Sequence, residues 1–356
     1  MSGAAAAKRK TRAIFVGGLQ IGGGARVSVQ SMTNTRTADA DATVSQILAL
    51  EAAGCELARV AVPDADSARA IAAIRARIHV PLVADIHFDA NLALAAIEAG
   101  ADKIRINPGN IGSAARVRAV ADACRERGVP IRVGVNGGSL ERALLAKYGG
   151  ATPDALVESA LGHVRLLEDA RFEDICISVK SSDAVTTVAA YRLLSARADY
   201  PLHLGVTEAG TEFAGVIRSA AALGALLADG IGDTLRVSLT AEPPREVEAG
   251  LELLRALGLR AGPRLVSCPT CGRCQYDMFP IAREVERRLR AFAAPDAPIT
   301  VAVMGCAVNG PGEAREADFG IAGGNGEGVL FRAGSVVGKA PEAELVDALF
   351  RLIEGA

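Results

Sequence analysis

The stretch Lys103-Ile104-Arg105-Ile106-Asn107-Pro108-Gly109-Asn110, followed by a helical segment over 113–127 and then by Ile131-Arg132-Val133-Gly134-Val135, decides the fold. Two short, largely apolar runs enclose a segment of helical length. A strand of near-continuous apolar character is buried on both faces, as in a parallel sheet covered by helices. The same unit recurs in both directions. Toward the N-terminus, strands are predicted over 27–32, 57–62 and 82–86 and helices over 44–53, 65–77 and 91–99. Gly54 and Gly100 follow two of these helices as stop signals. Toward the C-terminus, a longer helical region covers 140–170. Strands are predicted over 174–179, 202–206 and 234–239, and helices over 184–197, 213–228 and 245–257. Eight strand–helix units match a (β/α)8 TIM-type barrel. An open doubly wound sheet more often stops short of eight strands. The first strand also lacks a following Gly-x-Gly-x-x-Gly turn, which counts against dinucleotide binding. Ahead of the barrel, 12–16 and 19–21 flank Gly17-Gly18 and read as a small hairpin, a candidate plug for one end of a larger unit.

Beyond Gly262-Pro263 the pattern changes to α+β. The expected division is a substrate-binding barrel over 1–262 and a smaller α+β iron–sulfur domain over 263–356. In the latter, strands are predicted over 264–267 and 299–304 and a helix over 281–292. A Gly-rich segment over 320–328 precedes a hairpin-like 329–339, and an amphipathic helix covers 342–353. Four of the seven cysteines lie here, in Ser267-Cys268-Pro269-Thr270-Cys271-Gly272-Arg273-Cys274 and in Gly305-Cys306. Pro269 and Gly272 are expected to shape a tight turn that aims thiolates at one centre. Disulfides are unneeded in a chain of 356 residues. Structural zinc usually takes paired Cys-x-x-Cys or His partners, and the distal piece holds one Cys and no His. A local run of cysteines plus one distant cysteine fits an iron–sulfur cluster. Glu313 ends a Gly-Pro-Gly turn near Cys306, so spacing leaves the fourth ligand open between Cys274 and Glu313. Cys55, Cys124 and Cys176 lie in apolar surroundings and read as small core residues.

Half the residues are hydrophobic, aromatics are 4% and Trp is absent, so the core is mostly aliphatic. A net charge of −2 argues against general attraction to nucleic acid or to a membrane surface. The basic run over 4–12 has no apolar region of useful length behind it and does not read as a signal peptide. No apolar run reaches membrane-spanning length. A cytoplasmic protein is expected.

In such a barrel the chemistry gathers at the C-terminal ends of the strands. Five strands bring a cation there: Arg59, Arg105, Arg132, Lys180 and Arg236. Each could simply pair with a nearby carboxylate or reach solvent. Five together point to a phosphorylated small molecule, and a diphosphate best matches several guanidiniums. Asp85, His87 and Glu208 are the acid–base candidates. His79 precedes a strand and His163 lies within a helix, so neither has a functional case; His203 begins a strand, at the stability end.

Together these residues resemble the bacterial 4-hydroxy-3-methylbut-2-enyl diphosphate synthase family (IspG/GcpE). The likeness runs through Val29-Gln30-Ser31-Met32-Thr33-Asn34, Val83-Ala84-Asp85-Ile86-His87-Phe88, Arg105-Ile106-Asn107-Pro108-Gly109-Asn110, His203-Leu204-Gly205-Val206-Thr207-Glu208-Ala209-Gly210, Arg236-Val237-Ser238, Cys268-Pro269-Thr270-Cys271 and Asn309-Gly310-Pro311-Gly312-Glu313. The resemblance implies a 4Fe-4S enzyme that reductively opens 2-C-methyl-D-erythritol 2,4-cyclodiphosphate, with flavodoxin or ferredoxin as electron donor. It implies Cys268, Cys271, Cys306 and Glu313 as cluster ligands. Cys274 departs from the family pattern and could compete with Glu313. The substrate-holding set would be Arg59, Asp85, Arg105, Asn107, Arg132, Asn136, Lys180, Arg236 and Ser238. Glu208 would be the proton donor, with His87 and Thr207 beside it. A head-to-tail homodimer is also implied, the cluster domain of one subunit capping the barrel of the other. Two other classes compete: a non-redox barrel enzyme on a phosphorylated substrate with zinc or a structural cluster in its tail, and an electron carrier or iron–sulfur binding module, which would have no use for a phosphate site.

Overall fold

The computed structural model describes residues 7–274, 276–292, 297–306, 315–324 and 326–355. It divides into two compact units, Met1–Leu259 and Arg260–Ala356.

The first unit opens with an antiparallel hairpin, β1 (Ala13–Val16) and β2 (Leu19–Gly22). Then follow β3 (Ser28–Met32), α1 (Ala40–Ala52), β4 (Leu57–Ala61), α2 (Ala65–Arg75), β5 (Leu82–Asp85), α3 (Ala90–Glu98) and β6 (Lys103–Ile106). A short α4 (Pro108–Ile111) precedes α5 (Ala114–Arg127), β7 (Ile131–Asn136), α6 (Arg142–Tyr148) and α7 (Pro153–Asp169). The unit ends with β8 (Ile175–Lys180), α8 (Ala184–Ser195), β9 (His203–Leu204), α9 (Glu212–Ala228), β10 (Thr234–Leu235) and α10 (Pro243–Ala256). Strands β3 to β10 form one parallel sheet in the order β8-β7-β6-β5-β4-β3-β10-β9. A parallel bridge between Ile177 and Leu202 joins its two edges, which closes the (β/α)8 barrel. Helices α1, α2, α3 and α8 each start on an aspartate, Asp39, Asp64, Asp89 and Asp183, whose carboxylate accepts a first-turn amide proton.

The period of two along each strand sorts the side chains. Outward residues such as Val29, Ala58, Ile104, Val133 and Ile177 join the aliphatic layer beneath the helices. The inward positions are polar to an unusual degree. The hairpin plugs the N-terminal end: Ile14, Val16 and Ile21 pack on Leu57, Val83 and Cys176. Cys55 and Cys124 are buried as well.

Lys103 lies fully buried in this region, with no hydrogen-bond partner for its ammonium. Burial pushes its pKa down to about 8. The folded state therefore binds fewer protons than the unfolded state between that value and the ordinary 10.5, and stability rises with pH across this window. Lys103→Met is expected to stabilise the protein at pH 7 by roughly 2–3 kcal/mol and to remove that rise, as chemical denaturation from pH 7 to 10.5 would reveal.

Several boundaries differ from expectation. The region 140–170 is two helices, because Gly149 and Gly150 take φ of 71° and 147° and break it. The turn after β6 holds the unforeseen α4. Strands β9 and β10 pair through two residues each, not along 202–206 and 234–239. At Gly205 the ladder gives way, and a Cβ there would stand 2.6 Å from Lys180 Nζ and 3.0 Å from the Arg236 carbonyl.

The second unit is a five-stranded sheet of β11 (Arg264–Ser267), β12 (Thr300–Met304), β13 (Phe319–Gly323), β14 (Glu327–Arg332) and β15 (Ser335–Pro341), in that order. β11 to β13 run parallel, and β13 to β15 antiparallel. Helices α11 (Met278–Phe292) and α12 (Leu345–Glu354) pack on it through Val285, Leu289, Leu349 and Phe350. Within the Gly-rich 320–328, glycines serve packing. A side chain at Gly320 or Gly323 would overlap Phe331 or Tyr276, so the central strand β13 needs them. No described helix is long and apolar enough to cross a membrane.

Candidate active site at the barrel mouth and the cysteine turn

Parallel strands place their C-terminal ends at one rim, and the inward polar residues converge there. Asp85 at the end of β5 is buried between two guanidiniums. Arg59 Nη2 from β4 lies 3.1 Å from one carboxylate oxygen and Arg105 Nη1 from β6 lies 3.2 Å from the other. His87 Nε2 stands 3.5 Å from Asp85 and 3.1 Å from Arg105 Nη1. Arg105 Nη2 also donates to the Gly134 carbonyl at 3.1 Å. On β7, Arg132 Nη1 donates to Ser178 Oγ at 2.6 Å. Arg236 pairs with Glu246 at 3.1 Å, and Ser31 Oγ donates to the same carboxylate at 2.9 Å. The bland reading, a cation paired with a nearby carboxylate, therefore holds for Arg236, which has Glu246 to itself, and in part for Arg59 and Arg105.

Arg59 and Arg105 share one carboxylate. Arg132 and Lys180 have none among the described residues. Burial and the neighbouring arginines lower Arg132 to about 9 and hold Lys180 well below its ordinary range. Burial opposes the charge of Asp85, but Arg59, His87 and Arg105 outweigh it and keep its pKa well below the usual carboxylate value. A buried surplus of positive charge is costly until an anion enters.

The backbone is cut to fit these side chains. A Cβ on Gly134 would lie 2.5 Å from Arg105 Nε. Gly134→Ala is expected to displace that guanidinium and raise the KM for an anionic substrate roughly tenfold or more, with stability falling by about 1–3 kcal/mol. Steady-state kinetics beside a thermal melt separates the two effects.

Asn107 is buried, with its side-chain oxygen unpartnered. Asn136 and Ser238 end half-buried at the same rim. Thr207 is half-buried after β9, and its amide donates to the Ser181 carbonyl at 3.1 Å. Glu208 is exposed and left-handed, with φ of 53°. A non-glycine residue held there is strained, a condition that gathers at functional sites. Of the barrel candidates, direct contacts join Arg59, Asp85, His87 and Arg105. His163, given no functional case from sequence, receives the Gly109 amide at 2.9 Å. Its place on a helix hid a contact set by tertiary packing.

In the second unit, β11 leads into the cysteine turn. Thr270, not Gly272, takes the left-handed conformation there, with φ of 56°. The Cys274 amide closes the turn on the Cys271 carbonyl at 2.9 Å, and the Cys268 amide donates to Val303 at 3.1 Å. Gly305 precedes Cys306 at the end of β12. A Cβ there would stand 3.1 Å from Cys274 Sγ and 3.6 Å from Cys268 Sγ, so two sulfurs converge over the backbone next to a third thiol. Cys271 is exposed. Cys274 Sγ donates to the Tyr276 carbonyl at 3.3 Å, and Tyr276 Oη donates to the Met304 carbonyl at 2.8 Å. Glu313 lies outside the described residues. Among the described residues no three His, Cys, Asp or Glu side chains already stand in metal-holding geometry. The soft donor set and the glycine cradle nevertheless fit a thiolate-bound iron–sulfur group.

A (β/α)8 barrel with a cationic mouth, followed by a sheet unit bearing a cysteine turn, defines a barrel enzyme for an anionic substrate with a thiolate centre. Comparison with known proteins narrows this. The GcpE TIM-barrel domain matches residues 11–251 and the GcpE protein C-terminal domain residues 264–355. The chain belongs to the GcpE family. A 4-hydroxy-3-methylbut-2-en-1-yl diphosphate synthase (flavodoxin) of Geobacter sulfurreducens is 61% identical over 98% of this chain and 98% of its own. A protein of the same description from Clostridium perfringens is 57% identical over 98% of this chain and 99% of its own. Among solved structures, a dihydropteroate synthase of Xanthomonas albilineans covers 70% of this chain and 97% of its own, at 19% identity and a TM-score of 0.49.

Proposed function

We propose that this protein is the flavodoxin-dependent 4-hydroxy-3-methylbut-2-enyl diphosphate synthase of non-mevalonate isoprenoid biosynthesis, an iron–sulfur oxidoreductase. Its substrate is 2-C-methyl-D-erythritol 2,4-cyclodiphosphate. The carbon–oxygen bond that closes the ring breaks, a hydroxyl leaves as water with one added proton, and two electrons complete the double bond of the linear diphosphate. The observation that carries this reading is the buried cation surplus at the mouth of a barrel belonging to the GcpE family.

Arg59, Arg105, Arg132 and Lys180 would bind the two phosphates and stabilise the diphosphate leaving group as its charge develops. Asp85 orients Arg59 and Arg105, and Arg236 is oriented by Glu246. Asn107, Asn136 and Ser238 would supply uncharged hydrogen bonds. Glu208 is assigned as proton donor to the departing hydroxyl, with Thr207 and His87 beside it. Cys268, Cys271, Cys306 and Glu313 would hold a 4Fe-4S cluster. When bound, that group supplies the electrons and Lewis acidity the dehydroxylation needs. Cys274 stands beside this set as a competing thiol. A head-to-tail homodimer, from family resemblance, and a cytoplasmic location, from the sequence reading, complete the proposal. Ferredoxin is the alternative donor.

The deciding experiment is anaerobic: count iron and sulfide per chain, then supply the cyclodiphosphate and a low-potential reductant. Four irons and the linear diphosphate are expected. Zinc in place of iron, with no product, would sink the reductase reading and leave the phosphate site standing. Cys274→Ser is expected to keep the iron count and the cluster's visible spectrum; loss of the cluster in that variant would make Cys274 the fourth ligand in place of Glu313.

A further inference from the structure

One part of the barrel mouth is held from outside the barrel wall. The turn after β6 carries Asn107, and its next-but-one residue, Gly109, donates its amide proton to His163 Nδ1 at 2.9 Å. His163 sits on α7 with its ring buried. Its far nitrogen, Nε2, stands 2.9 Å from Glu141 Oε1. Ser159, one turn earlier on α7, donates to both oxygens of that carboxylate, at 2.8 and 3.1 Å. Nδ1 accepts a proton from the backbone, so it must be the bare nitrogen, and the ring proton sits on Nε2 beside Glu141.

The contact shapes the turn on both sides. A side chain at Gly109 would overlap the imidazole, so only glycine lets the backbone come this close. The Asn110 amide closes the turn on the Asn107 carbonyl at 2.8 Å. Within it, the Asn107 side-chain oxygen is buried and unpartnered.

We propose that His163 is a positioning residue for substrate: as neutral imidazole it holds Gly109, and through it Asn107, in the shape that receives the cyclodiphosphate. The proposal rests on the function assigned above. His163 touches no substrate itself; it acts through the turn. Protonation at Nδ1 would set an N–H against the Gly109 N–H and release the turn. Burial, opposed by Glu141, moves this event below the ordinary imidazole range, so the holding form prevails at neutral pH. Among the described residues Glu141 is the charged group whose field reaches the ring. Lys147 on α6 and Glu158 on α7 pair with each other at 2.7 Å.

The test compares holoenzyme variants under anaerobic conditions, with KM, kcat, iron content and the calorimetric Kd for the cyclodiphosphate as readouts. His163→Leu removes the acceptor and is expected to raise KM and Kd about tenfold, with kcat within about twofold and iron content unchanged. His163→Asn places an amide oxygen near the former Nδ1 and is expected to restore most of the affinity at pH 7.5. Wild type is expected to lose affinity at acid pH as His163 takes up a proton; the amide oxygen does not titrate, so that loss should vanish in His163→Asn. An unchanged Kd in His163→Leu, an asparagine variant as weak as leucine, or an acid limb that persists in asparagine would each overturn the proposal. If the leucine variant fails to fold, the pH profile of the asparagine variant decides alone. Wild type that binds no cyclodiphosphate would overturn the functional reading instead, a separate outcome.

Discussion

Asp85→Asn is expected to destabilise the barrel by about 3–5 kcal/mol and to lower kcat/KM by roughly a hundredfold. The isosteric amide keeps the shape and removes the charge that Arg59 and Arg105 share. Three buried cations, Arg105, Arg132 and Lys180, and the half-buried Arg59 would then be left without that carboxylate. The acid dependence gives an independent check. Because Asp85 titrates well below its ordinary 3.8 when folded, its contribution is complete above that value and disappears as pH falls through the lowered one. Wild type should lose this increment on acidification, and Asp85→Asn should show no matching loss. Urea unfolding at pH 7 and at pH 3 measures both, and a variant as stable as wild type at pH 7 would show that Asp85 does not balance the cation cluster.

The second large effect concerns Glu313. Glu313→Ala is expected to weaken cluster binding without abolishing it and to remove nearly all turnover. On the proposed ligand set, three cysteines would remain to hold the cluster, and the variant would lose its one carboxylate, a weaker and more exchangeable donor than a fourth thiolate would be. Iron and sulfide counts measured beside turnover separate holding from reacting, and normal turnover would remove Glu313 from the mechanism.

The barrel was legible in the sequence because both signals behind it are local. Lys103 to Ile106 and Ile131 to Val135 read as buried strands from side-chain polarity alone, and the spacing between them fits one helix. The convergence of Arg59, Arg105, Arg132 and Lys180 followed from strand polarity once parallel pairing was assumed. What stayed hidden depends on partners distant in sequence. Arg236 carried the same signature as the other cations, yet Glu246 on α10 neutralises it. His163 resembled any helical histidine until α7 packed against the turn at Gly109. The strand at Gly320 and Gly323 was not foreseen, because composition cannot reveal that an aromatic ring lies against each of them. Thr270 took the left-handed role that residue type assigned to Gly272.

The plug at the base of the barrel sets an order of assembly. Ile14, Val16 and Ile21 come to rest on Leu57, Val83 and Cys176, and the last of these leaves the ribosome some 160 residues after the hairpin. The segment before the hairpin waits longer still: Arg9 donates its amide to Gly230, and Arg12 donates its own to Asp199. The hairpin and the segment before it are synthesised well ahead of the residues they rest on and are therefore among the last elements to dock. During translation the apolar face of the hairpin has nowhere native to go, and the closing contacts span most of the chain, which makes ring closure slow. Deleting the first strands should leave the later strand–helix units able to collapse, while the sealed barrel fails to accumulate.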